Sequence, residues 1–188
     1  MAPVSAGPIL LLTGPPGSGK TTVARRVADR FDRAACVETD WFWTTIVRGH
    51  IAPWRPEADT QNGTVVRSWV AAAAELSLGG YTVVVDGIIG PWYLGLVTDG
   101  LRRSGGDVHY IVLRPDLEVA LARATARHDD ERVPGHPALV EEGPIRHMWE
   151  QFRDLGPYEH HAVDNGALDP QETADLVWTR FVNGGARL

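Results

Sequence analysis

The 188-residue sequence contains a single cysteine, Cys36, and a single lysine, Lys20. One cysteine cannot form an internal disulfide, which agrees with a reducing compartment. The seven histidines show no HExxH pairing and Cys36 has no cysteine partner, so no structural metal site is expected. No apolar run reaches the roughly 18 residues needed to span a bilayer. Residues 1–7 lack a positive segment before their short apolar run, so no signal peptide is read there. A basic excess is missing as well: 18 Lys+Arg against 24 Asp+Glu give a net charge of −6. Surfaces that hold nucleic acid or an anionic membrane carry the opposite balance, so neither partner is expected. There is no internal repeat and no low-complexity tract. What remains is an ordinary globular composition, 44% hydrophobic and 22% charged, in a chain of single-domain length. The expectation is one cytoplasmic domain over residues 1–188.

Where the lone lysine sits is informative. The other 17 basic residues are arginines, and the one ammonium group lies in a glycine-rich loop.

Apolar runs bounded by turn residues predict alternating strands and helices. Strands are read at 9–12, 35–37, 81–85, 108–113 and 161–163. Helical spacing covers 23–31, 65–76, 117–124, about 144–154, and a last helix opened by Pro170. The alternation implies an α/β fold with a mainly parallel five-stranded sheet covered on both faces. Segments 41–63 and 128–143 are longer than ordinary connections and read as functional loops or a lid. Ligands of such sheets sit beyond the carboxyl ends of the strands.

Gly14-Pro15-Pro16-Gly17-Ser18-Gly19-Lys20-Thr21 satisfies G-x-x-x-x-G-K-[ST], the Walker A pattern, between a strand and a helix. Small residues let the backbone curl so that several N–H groups point at phosphate oxygens, and the following helix adds its positive end. Lys20 reaches the β- and γ-phosphates, and the Thr21 hydroxyl is placed for Mg²⁺. Thr22 follows in the same first turn. The pattern predicts a nucleoside triphosphate, taken as ATP, without naming the reaction.

Three further groups bear on the reaction. Asp86 ends a β-branched strand, where an acidic residue holds Mg²⁺ opposite Thr21; a turn or cap role is the alternative. Asp40 lies just after the second strand and is a candidate base toward an acceptor hydroxyl, with Glu38 as substitute and a helix cap as the alternative. Arg123, Arg127 and Arg132 are candidates to clamp charge on a transferring phosphoryl group, against the plain reading of surface arginines. Around Asp40 cluster Trp41, Trp43, Arg48, Trp54 and Arg55, read either as the wall of a substrate pocket or as ordinary packing.

Together, the phosphate loop, the carboxylate after strand two, the Asp at the tip of strand three and the arginine-bearing segment resemble the P-loop small-molecule kinases. Within that superfamily the chain is most similar to chloramphenicol phosphotransferase-like proteins. The similarity rests on Asp40, the Val83-Val84-Val85-Asp86-Gly87 stretch, Leu113-Arg114-Pro115-Asp116 with Arg123 and Arg127, and the Val163-Asp164-Asn165 turn. It implies a three-layer sandwich with strand order 2-3-1-4-5 and a lid at about 128–143 closing over ATP. It also implies an adenine-side loop at 163–165, with Arg123 near the nucleotide and Arg127 and Arg132 acting as the lid closes. The expected activity is Mg²⁺–ATP-dependent phosphoryl transfer to a hydroxyl of a small molecule, antibiotic-like or otherwise. A nucleotide or gluconate/shikimate-type metabolite kinase, and a nucleotide-binding regulatory module without transfer, stay open.

Overall fold

The computed structural model describes residues 5–126 and 139–188. Five strands are β1 (Ile9–Thr13), β2 (Ala34–Glu38), β3 (Thr82–Asp86), β4 (Val108–Leu113) and β5 (Ala162–Val163). They form one sheet in the order β2-β3-β1-β4-β5, with every neighbouring pair parallel. This is the 2-3-1-4-5 order implied by the resemblance, and it sets β3 directly beside the phosphate-loop strand.

Every residue of β1 is buried, because its side chains alternate between two apolar layers. Ile9 and Leu11 pack with α3 (Asp59–Leu78) and α4 (Pro91–Leu101) through Val66, Trp69, Val70 and Val97. Leu10 and Leu12 pack on the other face with α1 (Lys20–Ala28) and α7 (Pro170–Val182) through Val23, Val27, Val177 and Phe181. Truncating Leu11 or Trp69 to alanine would cost about 2–5 kcal/mol in so closely packed a core.

The last helix shows how local sequence fixes an element. Pro170 occupies its first turn, and Asp169 accepts from the N–H groups of Gln171 and Glu172 while Glu172 accepts from the Asp169 N–H. That reciprocal box satisfies donors a helix start otherwise leaves unpaired.

Several boundaries differ from the sequence reading. Helix α1 ends at Ala28, and Phe31 follows in a turn, where its ring meets Phe181 edge-on at 5.8 Å. Within 41–63, read as a functional loop, α2 occupies Asp40–Thr44, a one-turn 3-10 helix spans Pro56–Ala58, and α3 begins at Asp59, ahead of the expected 65–76. Helix α4 lies where no helical periodicity was read. His161 belongs to a 3-10 segment, Gly156–His161, rather than to β5. Helices α5 (Leu117–Thr125) and α6 (Glu142–Gln151) share a small cluster of Leu121, Ala124 and Ile145. Most of the expected lid, residues 128–138, lies outside the described residues. Among those described, no helix is long and apolar enough to cross a membrane.

Candidate active site

The carboxyl ends of β1, β2 and β3 carry the residues of interest. After β1 the chain turns through Gly14 and Gly17, with φ of 148° and 81°. A Cβ on Gly14 would stand 2.1 Å from the Leu113 carbonyl oxygen, and one on Gly17 would stand 2.0 Å from that of Ala120. Both the dihedrals and the space therefore require glycine. Gly19 caps α1, whose first residues are Lys20, Thr21 and Thr22. The first N–H groups of any helix lack intrahelical acceptors, so those of residues 20–22 are available to an anion at this end. Pro15 accepts hydrogen bonds from the Ser18 N–H (3.2 Å) and from Lys20 Nζ (3.1 Å), so the ammonium reaches back over the loop. Pro16 completes the turn between them.

Asp86 is the last residue of β3, in register with Leu12 on one side and Glu38 on the other. It is 5% exposed. Burial pushes its carboxyl above the ordinary carboxylate range. The Lys20 charge and the neighbouring Thr21 side chain pull it back, while Asp40 and Glu38 add to the rise. The structure therefore brings Lys20, Thr21, Asp86 and Asp40 into one electrostatic group.

Asp40 is the first residue of α2 and is exposed, directly after Thr39, whose N–H donates to the Asp86 carbonyl at 2.8 Å. Thr39, not Asp40, holds the cap position of α2, and its side chain makes no capping bond. Glu38 is differently engaged: its Oε1 accepts from Arg25 Nε at 3.1 Å and Nη2 at 2.6 Å.

Arg123 lies on α5 and donates to the backbone carbonyls of Asn165 (3.3 Å) and Gly166 (3.1 Å). It thus meets the turn that the resemblance places beside adenine. Arg127 and Arg132 lie outside the described residues. The aromatic cluster is spread out. Trp43 is half-buried against the core, whereas Trp41 and Trp54 are 45% and 52% exposed, and Arg48 and Arg55 are exposed. A cavity of about 400 Å³ does open beside α2, lined by Phe42, Ile46, Ile51, Gln61, Thr64 and Val65 among others. None of the five expected substrate residues lines it. The Gln61 amide shapes its rim by pairing with both backbone groups of Ile51, at 2.8 and 2.6 Å.

Two supports of the site escaped the sequence reading. The Ile89 peptide groups are clamped by buried side chains: Thr13 Oγ1 accepts from Ile89 N–H at 2.7 Å, and the Tyr110 hydroxyl donates to its carbonyl at 2.8 Å. This fixes the segment leaving Asp86. Arg114, at the tip of β4, donates to the carbonyls of Phe152 and Arg153 and to both carboxylate oxygens of Glu159. It so ties the end of α6 to the rim of the sheet. Both devices join residues far apart in sequence, and no local pattern signals them.

The sheet order and the loop define the fold of the P-loop small-molecule kinases. A family model described as an AAA domain matches residues 9–155, and the chain belongs to that family. No curated protein matches it. Solved structures share the fold at low identity. The tunicamycin resistance protein of Deinococcus radiodurans is 20% identical with a TM-score of 0.65, over 93% of this chain and 95% of that one. Shikimate kinase from Acinetobacter baumannii, in complex with shikimate, is 19% identical with a TM-score of 0.60, over 95% and 94%. A sugar kinase from a Janibacter species is 21% identical with a TM-score of 0.56, over 94% and 93%.

Proposed function

We propose that this protein is an ATP-dependent phosphotransferase, one domain over residues 1–188, that moves the γ-phosphoryl group to a hydroxyl of a small molecule. The observation that supports the reading is that Lys20, Thr21 and Asp40 all act on the buried carboxyl of Asp86, at the tip of the strand between β1 and β2.

In this reading residues 14–22 cradle the triphosphate, with Lys20 swinging from Pro15 to the β- and γ-phosphates. Asp40 accepts the proton of the acceptor hydroxyl, whose oxygen forms the new bond to phosphorus as ADP departs. Exposure suits that role, because an acceptor has to reach the carboxylate. Arg123 holds the nucleotide side, and Arg127 and Arg132 neutralise charge on the group in flight.

Magnesium fits the residues present. Among the described residues no cluster of three His, Cys, Asp or Glu side chains is placed to hold a metal. Mg²⁺ does not need one, since it is commonly bound by one or two protein oxygens together with phosphates and water. Thr21 and Asp86 supply such oxygens, and the burial that lifts the Asp86 carboxyl would be relieved by a cation. When bound, the ion would neutralise phosphate charge.

Fold-sharing with a tunicamycin resistance protein supports including antibiotics among the acceptors, and fold-sharing with shikimate and sugar kinases supports including polar metabolites. The test is ADP release from MgATP with a panel of hydroxylated antibiotics, sugars, sugar acids and nucleoside monophosphates. One class should raise turnover well above the basal rate, and Lys20→Ala should remove it. Calorimetry that detects no heat on titrating MgATP into the wild type would overturn the proposal. Binding without stimulation by any acceptor would leave a nucleotide-binding module instead.

A further inference from the structure

The phosphate loop is tied to a distant part of the chain by one side chain. Asn165 Nδ2 donates to the Ser18 carbonyl at 2.9 Å, across 147 residues of sequence. Asn165 is 2% exposed, and it is itself held from behind. Arg123 donates to its carbonyl and to that of Gly166, and Asp164 Oδ1 accepts from the Gly166 N–H at 2.9 Å. A continuous chain of hydrogen bonds therefore runs from α5 through the β5–α7 turn into the loop.

The bond has a geometric consequence. Ser18 C=O and Gly19 N–H belong to one peptide, and every peptide among the described residues is trans. In a trans peptide those two groups point in opposite directions. Drawing the carbonyl to Asn165 fixes where the Gly19 N–H points. Local sequence does not fix it, because the peptide is followed by a glycine at φ 87°, and glycine lets a peptide plane turn at little steric cost. The residue before Ser18 is a glycine too.

Asn165 accepts a penalty in making this bond. Its Oδ1 is buried without a hydrogen-bond partner, as is Ser18 Oγ. Orphaned buried polar atoms destabilise a fold, and they concentrate where function retains them.

We propose that Asn165 is a positioning residue that locks the Ser18–Gly19 peptide with its N–H turned into the phosphate cradle, so that it serves the triphosphate and not the base. The inference rests on the nucleotide-binding reading above. It predicts that nucleotide phosphates, not adenosine, report the loss of the Asn165 amide.

The experiment is calorimetry with three probes, MgATP, magnesium tripolyphosphate and adenosine, on the wild type, Asn165→Asp and Asn165→Leu. Both replacements approximate the shape of asparagine and neither donates to Ser18. Affinity for MgATP and tripolyphosphate should fall about tenfold, in keeping with loss of one organising hydrogen bond, while that for adenosine holds. Unchanged tripolyphosphate affinity in both variants overturns the assignment, and so does a loss confined to adenosine, which would make Asn165 a base contact. Should a variant fail to fold, the wild type answers alone. Its Gly19 amide resonance should move strongly on adding magnesium tripolyphosphate, and a stationary Gly19 signal with bound tripolyphosphate refutes the proposal. Wild-type protein that binds neither MgATP nor tripolyphosphate sinks the nucleotide reading itself.

Discussion

Glu38 and Asp86 stand opposite each other on neighbouring strands, and Arg25 engages Glu38 through two hydrogen bonds to one oxygen. The Glu38 side chain is 16% exposed, so the ion pair is partly sheltered, and the pairing raises the already high pKa of Arg25. A carboxylate oxygen already occupied by two guanidinium N–H groups is poorly placed to receive the hydrogen bond of an acceptor hydroxyl. Asp40, two residues on, is exposed at the start of α2. Asp40→Asn is therefore expected to lower acceptor-dependent turnover by about 10²–10⁴, the usual worth of a positioned base. Glu38→Gln should stay within about threefold, since it weakens a pair whose arginine is 64% exposed and screened by solvent. Initial rates of ADP release with the best acceptor of the panel measure both. A larger loss in Glu38→Gln than in Asp40→Asn would reverse the assignment.

Gly17 and Gly49 separate conformational strain from lack of space. Both have positive φ, 81° and 78°, but a Cβ on Gly17 would meet the Ala120 carbonyl at 2.0 Å while one on Gly49 meets nothing within 4 Å. Gly49→Ala should cost only the left-handed penalty, about 1–2 kcal/mol. Gly17→Ala adds a backbone collision and should cost clearly more, with loss of MgATP binding. Thermal unfolding of the two variants side by side gives the comparison. Equal losses would mean that α5 can retreat from the loop.

The phosphate loop was legible because its chemistry needs contiguous residues: glycines at fixed spacing, then lysine and threonine. Strand β1 was legible because burial on both faces leaves the unbroken apolar run Ile9-Leu10-Leu11-Leu12. Helix α4 was not, since Gly95 and Gly100 interrupt its apolar spacing, and the first turns of α3 were masked by Asn62-Gly63-Thr64, all weak helix formers. Tertiary packing on Trp69 and Leu94 overrides those preferences. The substrate side was least legible. Composition placed tryptophans near Asp40, but which aromatic lines a cavity depends on the face each presents. Phe42 and Trp43 both pack against the core, and of the two Phe42 also lines the cavity. The clamps by Arg114 and Tyr110 and the strap by Asn165 join distant segments, so no window along the chain contains both partners.

Arg114 and Glu159 give a pH signature. The Arg114 guanidinium, helped by the Leu155 N–H, holds the Glu159 carboxyl below its ordinary value of 4.5. A carboxyl depressed in the folded state contributes stability that is present above the unfolded value and is lost as pH falls through the folded one. Glu159→Gln should accordingly unfold at a lower temperature than the wild type at pH 6–7, with the gap closing under more acidic conditions. The effect should be small, because the side chain is 45% exposed. Melting curves across pH test this, and a gap that widens on acidification contradicts it.

Asp86 carries the opposite sign. Its folded carboxyl lies above the ordinary range chiefly through burial, despite help from Lys20 and Thr21. A group raised in this way favours the folded state most below its unfolded pKa, and the advantage is lost as pH rises through the folded value. Holding Asp86 as a carboxylate is thus a burden on the nucleotide-free protein that grows as pH rises above the unfolded value. Asp86→Asn removes the charge at nearly constant shape. Without ligand its melting temperature should rise at pH 7, by about 2–4 °C if the relief is near 1 kcal/mol. The gain should shrink as the medium is acidified. With MgATP the order should invert, because a ligand stabilises in proportion to its affinity for the folded state, and the variant has lost a metal-side oxygen anion. Paired melting curves with and without MgATP measure both halves. If Asp86→Asn is less stable than the wild type without nucleotide at neutral pH, the carboxylate serves the fold and not the bound phosphate and metal.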